Sequence, residues 1–73
     1  MSLINKTKEF EIISNIITPK SSIIDIGCND GSLIEYLKSN KNVNARGMEI
    51  DQSKVRTCLA KGISVVEGDA DTD

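Results

Sequence analysis

Ser22-Ile23-Ile24-Asp25-Ile26-Gly27-Cys28-Asn29-Asp30-Gly31-Ser32-Leu33 is the stretch on which the reading of this chain turns. The apolar run from Ile23 to Ile26 reads as a short buried strand. Gly27 to Gly31 reads as a tight turn, and Leu33, Ile34 and Leu37 continue at the spacing of a helix from Ser32 to Ser39. Strand, glycine turn and helix in that order form the first half of a βαβ unit, and the carboxyl end of such a strand is where α/β sheets bind ligands. A second segment, Gly47-Met48-Glu49-Ile50-Asp51, follows at a distance that suits the second strand of the unit.

Outward from this stretch the pattern repeats. Phe10, Ile13, Ile16 and Ile17 recur at helical spacing, predicting an opening helix over about 6–17 that Thr18-Pro19 stops. Asn40 to Asn44 is a polar loop, and Ala45 to Ile50 a second strand. Asp51-Gln52-Ser53 reads as the N-cap of a helix with Val55, Cys58 and Leu59 on its inner side, ended by Gly62. Ile63 to Glu67 is a third strand. The expected architecture is α/β, in the order α-β-α-β-α-β, with the βαβαβ part over about 23–67. Alternation of this kind calls for three parallel strands joined by crossover helices. There are no repeats, low-complexity tracts or interior linkers, so residues 1–73 are read as one unit.

Composition narrows the function. The chain has 73 residues, a formal net charge of −2 and 3% aromatic residues. A chain of this size seldom draws more than about 3–5 kcal/mol from its core. No basic patch favours nucleic acid or an anionic membrane. No apolar run approaches the roughly 20 residues of a membrane helix. Cys28 and Cys58 match no metal-ligand spacing and the chain has no histidine, so no metal is expected. A reduced, cytoplasmic setting is the simplest expectation.

The turn has the spacing G-x-x-x-G, which departs from the dinucleotide pattern G-x-G-x-x-G. Gly27 lets the chain leave the strand, Gly31 lets the helix approach closely, and Asn29 tolerates a left-handed backbone. Backbone N–H groups at the helix start can hold polar or anionic ligand groups. Asp25 is placed to meet a ligand cation. The competing reading is an ordinary strand-to-helix turn. Glu49, 22 positions after Gly27, stands where a carboxylate binds ribose hydroxyls, about 20 residues on. Ile50 then covers an adenine face, and Asp51 caps the next helix. In Glu67-Gly68-Asp69-Ala70, Asp69 is placed to accept from an adenine amino group. The competing reading there is an acidic chain end, with Asp71 and Asp73 continuing the charge run. Cys28 lies inside the turn, but without a histidine to activate it the thiol is read as structural. Cys58 and Tyr36 are read as packing residues.

The run IIDIGCNDGSLIEYL resembles the first motif of class I S-adenosylmethionine-dependent methyltransferases. GMEID resembles their acidic segment after the second strand, and VVEGDAD their adenine segment after the third. The whole of ARGMEIDQSKVRTCLAKGISVVEGDADTD, with FEIISNIITPKSSIIDIGC upstream, is similar to MetW-type methionine-biosynthesis proteins over roughly residues 8–73. That resemblance implies the N-terminal half of a Rossmann-like class I methyltransferase fold that binds S-adenosylmethionine. The implied cofactor contacts are Asp25, Gly27, Asn29, Gly31, Glu49, Asp69 and Ala70, with Cys28 and Ile50 beside them. Asn29 stands where the family usually has glycine. No catalytic residue is assigned, since acceptor-binding segments of this fold come after the third strand.

The resemblance also implies an association with homoserine O-acyltransferase. The chain is then a methyltransferase-family cofactor module, a non-catalytic partner of that acyltransferase, or another nucleotide-binding module. Right-handed crossovers place both connecting helices on one face of the sheet, so the opposite face and the first-strand edge are expected to be bare and to invite self-association. The chain is accordingly expected to be a truncated product, marginal alone.

Overall fold

The computed structural model describes residues 6–69. The elements are α1 (Lys6–Ile16), β1 (Ser22–Ile26), α2 (Ser32–Lys41), β2 (Asn44–Glu49), α3 (Gln52–Ala60) and β3 (Val65–Glu67). The strands form one sheet in the order β1-β2-β3, parallel throughout. The register sets Ile23 beside Ala45, Asp25 beside Gly47 and Ile26 beside Met48. Across the next ladder Gly47 pairs with Val65 and Glu49 with Glu67.

Because strand side chains alternate, this register sorts the sheet into two unlike faces. Ile23, Ala45 and Val65 turn towards the helices and join a core of Cys28, Ile34, Leu37, Val43, Cys58 and Ile63. Here α2 packs on β2, α3 on β3 and β2, and α1 on α2. On the other face Ile24, Ile26 and Val66 are 67%, 58% and 58% exposed. The described residues thus build one layer of helices on one side of a sheet, with β1 at an open edge, as the crossover rule requires.

Local chemistry sets the element ends. The Asp51 side chain accepts from the N–H groups of Ser53 and Lys54 at the start of α3, the cap expected from Asp51-Gln52-Ser53. At the other end Gly62 takes φ 78°. The Gly62 N–H donates to Leu59 O at 3.0 Å and the Ile63 N–H to Cys58 O at 3.0 Å, the paired bonds of a Schellman motif. Ile63, expected in β3, is therefore spent on capping, and β3 starts only at Val65. Its side chain still packs in the core beside Cys58. Helix α2 runs on to Lys41 through what reads as loop, because Asn42 takes the left-handed capping position with φ 53°.

Two expected core positions fall outside. The inner stripe of α1 is Phe10, Ile13 and Ser14, continued by Ile17 just past its end, whereas Ile16 is exposed. Ile17 lies seven residues, two helical turns, from Phe10 and returns to the same side, which carries its neighbour Ile16 about 100° away. Leu59 is also exposed, since α3 packs over an edge strand of only three residues. Phe10 meets Tyr36 with ring centroids 5.5 Å apart, so Tyr36 packs as expected.

Gly47 marks the tightest approach between sheet and turn. A Cβ there would lie 2.4 Å from Cys28 Sγ and 3.1 Å from Ile34 Cδ1. Gly47→Ala is expected to destabilise the fold by about 1–3 kcal/mol through overpacking, with part of the loss recovered in the Gly47→Ala/Cys28→Ala double variant. Urea unfolding of the four proteins in that cycle measures the coupling. Strict additivity would show that Cys28 and Gly47 do not compete for this space.

Candidate functional site

All three βα loops leave the sheet at one rim, because the strands are parallel. Gly27, at the end of β1, leads into the first loop. Glu49 closes β2, and Gly68-Asp69 follow β3. These residues, with Ile26, Met48 and Ile50, line one open cleft of ≈ 160 Å³. A second cleft of ≈ 170 Å³ lies on the other side of Gly27, lined by Phe10, Asp25, Asn29, Asp30 and Leu33 among others. Each is smaller than the roughly 300 Å³ that encloses a drug-sized ligand, so the rim offers one wall of a site rather than a closed pocket. Gly27, Glu49, Ile50 and Asp69 are thus brought together. Asp25 and Asn29 sit next door, joined to them through Gly27. Ala70 lies outside the described residues.

Glu49 is the most constrained group at the rim. It is 7% exposed, yet both carboxylate oxygens have partners. Oε1 accepts from the Asn29 N–H at 2.8 Å and Oε2 from the Asp51 N–H at 3.0 Å. These bonds, Asp51 first and Asn29 second, hold its carboxyl below the ordinary range. A carboxylate offers about four acceptor sites, so each oxygen keeps capacity for a ligand hydroxyl. Glu49 is therefore a strut between two loops as well as a candidate ligand contact. The sequence suggested only the second role.

The turn itself is tied inward. The Gly27 and Cys28 N–H groups both donate to Met48 O, at 2.7 and 3.1 Å, and the Gly31 N–H to Cys28 O at 3.0 Å. The Asn29 N–H is held by Glu49, and the Ser32 N–H donates to Asp30 Oδ1 at 3.0 Å. These five amides are committed within the protein, whereas Gly31, the N-cap of α2, gives no side-chain cap to the helix amides that follow. Asn29 takes φ 58° and Gly31 φ 83°. A Cβ on Gly31 would meet Ile63 Cδ1 at 2.4 Å, the close approach that the second glycine was expected to serve.

Asp25 behaves in the opposite way to Glu49. Half-buried at the end of β1, its carboxyl is pushed up, first by burial and then by the nearby Glu49 charge. Cys28 is 4% exposed and points under the turn against Gly47. Burial, with Cys58 next to it, pushes its thiol up to about 12. Enclosed and neutral, the thiol is no nucleophile while the fold stays closed. Asp51 spends its side chain on capping α3.

Sequence reasoning passed over two supports of the turn. Asp30 also accepts from Ser32 Oγ at 2.7 Å, a local turn for which Asp-Gly-Ser was the available signal. Lys61 Nζ donates to Asp30 O at 2.9 Å and reaches Glu35 Oε1 at 3.3 Å, a link between α3 and α2 that no spacing rule announces. Among the described residues no group of three or more His, Cys, Asp or Glu side chains is set to hold a metal, and no helix is long and apolar enough to cross a membrane.

The sequence matches the family described as methionine biosynthesis protein MetW over residues 7–73. The chain belongs to the MetW family. No curated protein matches it. The fold of this MetW-family chain is similar to that of a TehB-like SAM-dependent methyltransferase from Corynebacterium glutamicum, with TM-score 0.77 and 22% identity, covering 89% of this chain and 36% of that one. It is also similar to a protein from Galdieria sulphuraria assigned as a sarcosine dimethylglycine methyltransferase, with TM-score 0.63 and 15% identity, covering 82% and 26%. The chain thus spans about a third and a quarter of these two proteins. At such identities the likeness is one of fold: three parallel strands with interleaved helices match the N-terminal half of a methyltransferase Rossmann-like fold.

The MetW-family strut has a pH signature. A carboxyl whose folded pKa lies below its ordinary value of 4.5 adds stability above that value and loses it as pH falls through the folded pKa. Urea unfolding across acid pH is expected to show this decline in the parent chain. Glu49→Gln, which sets an amide N–H₂ against one of the two N–H donors, is expected to be less stable at neutral pH with a flatter acid limb. An unchanged acid limb would remove Glu49 from its bridging role.

Proposed function

We propose that this MetW-family chain supplies the S-adenosylmethionine-binding wall of a methyltransferase-like protein. The observation that carries the reading is the convergence of Gly27, Glu49, Ile50 and Asp69 on one cleft, next to a turn whose amides are turned inward. A pyrophosphate-bearing dinucleotide needs free N–H groups at such a turn. Within the turn it would meet amides already bonded in the protein, and at the rim the carboxyl groups of Asp25, Glu49 and Asp69. A ligand with hydroxyls and positive charge and no phosphate suits that lining, and S-adenosylmethionine has this chemistry.

In this reading Glu49 accepts from the ribose hydroxyls with its remaining acceptor sites. Ile50, exposed at the rim, covers an adenine face. Asp69 meets the adenine edge, and Ala70 continues that segment. Asp25 faces the cationic end of the ligand across Gly27, with Asn29 and the Cys28 backbone shaping the passage. When bound, the cofactor supplies a sulfonium methyl group for in-line transfer. The contribution of these residues is to hold and orient it, and no catalytic base is assigned among them.

A second reading is a non-catalytic partner of homoserine O-acyltransferase with S-adenosylmethionine as effector. It draws support from the family's place in methionine biosynthesis and from the bare apolar sheet face. That face also supports self-association. Co-purification with the acyltransferase tests the partner, and sedimentation of the chain alone tests self-association.

Asp25 separates a binding role from a structural one, because the two predict opposite signs. Its raised carboxyl pKa means that the folded state disfavours the charged form, so stability falls as pH rises from the ordinary value of 3.8 through the raised one. Asp25→Asn should therefore unfold at higher urea than the parent at neutral pH. The same substitution should weaken S-adenosylmethionine binding by roughly 10- to 100-fold, the worth of a charged hydrogen bond. In the parent, affinity should rise with pH through the same window, as the carboxylate forms. Isothermal titration with S-adenosylmethionine, S-adenosylhomocysteine and NAD checks both points. NAD binding more tightly than either adenosyl compound would reject the proposal.

A further inference from the structure

Cys28 and Cys58 stand 30 residues apart in sequence, yet their Sγ atoms lie 4.0 Å apart. Both are free, at 4% and 0% exposure. The pair joins the glycine turn to α3. Cys58 Sγ also donates to Asn29 O at 3.2 Å, and the N–H of that same Asn29 is held by Glu49. The thiols thus sit directly beneath the residue at which turn and β2 are tied.

We propose that Cys28 and Cys58 form an oxidisable dithiol whose disulfide alters the turn at Asn29. Closing from 4.0 Å to a bond of about 2.05 Å needs a movement of about 2 Å shared between two side chains. Neither side chain has to cross the core, since Cys28 already rests on Gly47 and Cys58 beside Gly31. The oxidant is of the hydroperoxide or small-disulfide class. With a hydroperoxide, one thiol sulfur attacks the O–O bond to give a sulfenic acid and release the reduced fragment. The second thiol then displaces water to form S–S. Two protons and two electrons leave the pair, and the peroxide is reduced to water and its alcohol, or to two waters from hydrogen peroxide. With a small disulfide, exchange passes through a mixed disulfide and releases two thiols. Burial makes the reaction slow in the closed fold, so it runs through opening of the turn. The bond removes the S–H that now donates to Asn29 O. The effect on ligand binding rests on the cofactor reading above; the chemistry of the pair does not.

The test equilibrates the 73-residue chain in reduced and oxidised glutathione, folded and in urea, with alkylation of remaining thiols and peptide mapping by mass. The expected product is a chain lighter by two hydrogens, with residues 28 and 58 linked. The effective thiol concentration should be at least about tenfold higher in the folded chain than in urea, as expected when the fold holds the pair together. Cys58→Ser should give only glutathione adducts. Equal effective concentrations in the two states, or adducts without the internal link, would overturn the proposal. Titration of the reduced and oxidised chains with S-adenosylmethionine should show affinity about fivefold lower in the oxidised form, the worth of one hydrogen bond. Equal affinities would overturn the coupling to Asn29. A reduced chain that fails to bind would defeat the cofactor reading and leave the mapped disulfide standing.

Discussion

Two backbone amides from different loops, those of Asn29 and Asp51, share the carboxylate of Glu49. Most of the rim's geometry follows from that bridge. It fixes the end of β2 against the turn after β1. It also places Asp51 to cap α3, so the helix start and the turn are set by one side chain. Removing a buried acceptor from two donors costs more than the two bonds are worth in water, because the donors are left without partners. A carboxylate here is therefore as much an architectural requirement as a ligand-binding one. That duality also says why an acidic residue at this position is weak evidence of binding on its own.

The element order and the parallel sheet were legible in the sequence because each rests on local chemistry. Apolar runs of strand length, the Asp51 cap and the Gly62 stop all act within a few residues. The boundaries that moved did so for longer-range reasons. Ile63 left β3 because the Schellman bonds use its N–H, and α2 outran its expected end because Asn42 could take the place of a glycine. Ile16 could not be told from Ile17 by hydrophobicity, only by which one returns to the side of Phe10. At the site, the convergence of Gly27, Glu49 and Asp69 followed from parallel strands delivering every loop to the same rim. The direction in which the turn's N–H groups point did not follow. It depends on Met48 O and on the Glu49 carboxylate, both distant in sequence from the turn.

Asp25 and Glu49 show how one rim holds two carboxyl groups in opposite condition. Glu49 is buried but satisfied, and its charged form is favoured. Asp25 is half-buried and pays for its position with a raised pKa, to which Glu49 itself contributes. A fold selected for stability alone would have no reason to retain a carboxyl whose ionisation works against it. Such conflicts between local stability and local chemistry gather at functional sites. Asp25 is thus the group at this rim whose charge the fold supports least.

The two faces of the sheet complete the same logic. Helices α2 and α3 pack on the face that carries Ala45, Gly47 and Val65, with α1 on α2, and the small residues of β2 there let the turn and Cys28 descend onto it. The opposite face carries Ile24, Ile26 and Val66, β-branched residues that suit burial under a second layer. The rim does not depend on that layer for its shape. Its loops are positioned from the covered side, by the Glu49 bridge, the Lys61 link to Asp30 and Glu35 and the α3 cap. The loop geometry at the rim is accordingly set from the side of the sheet that the helices cover.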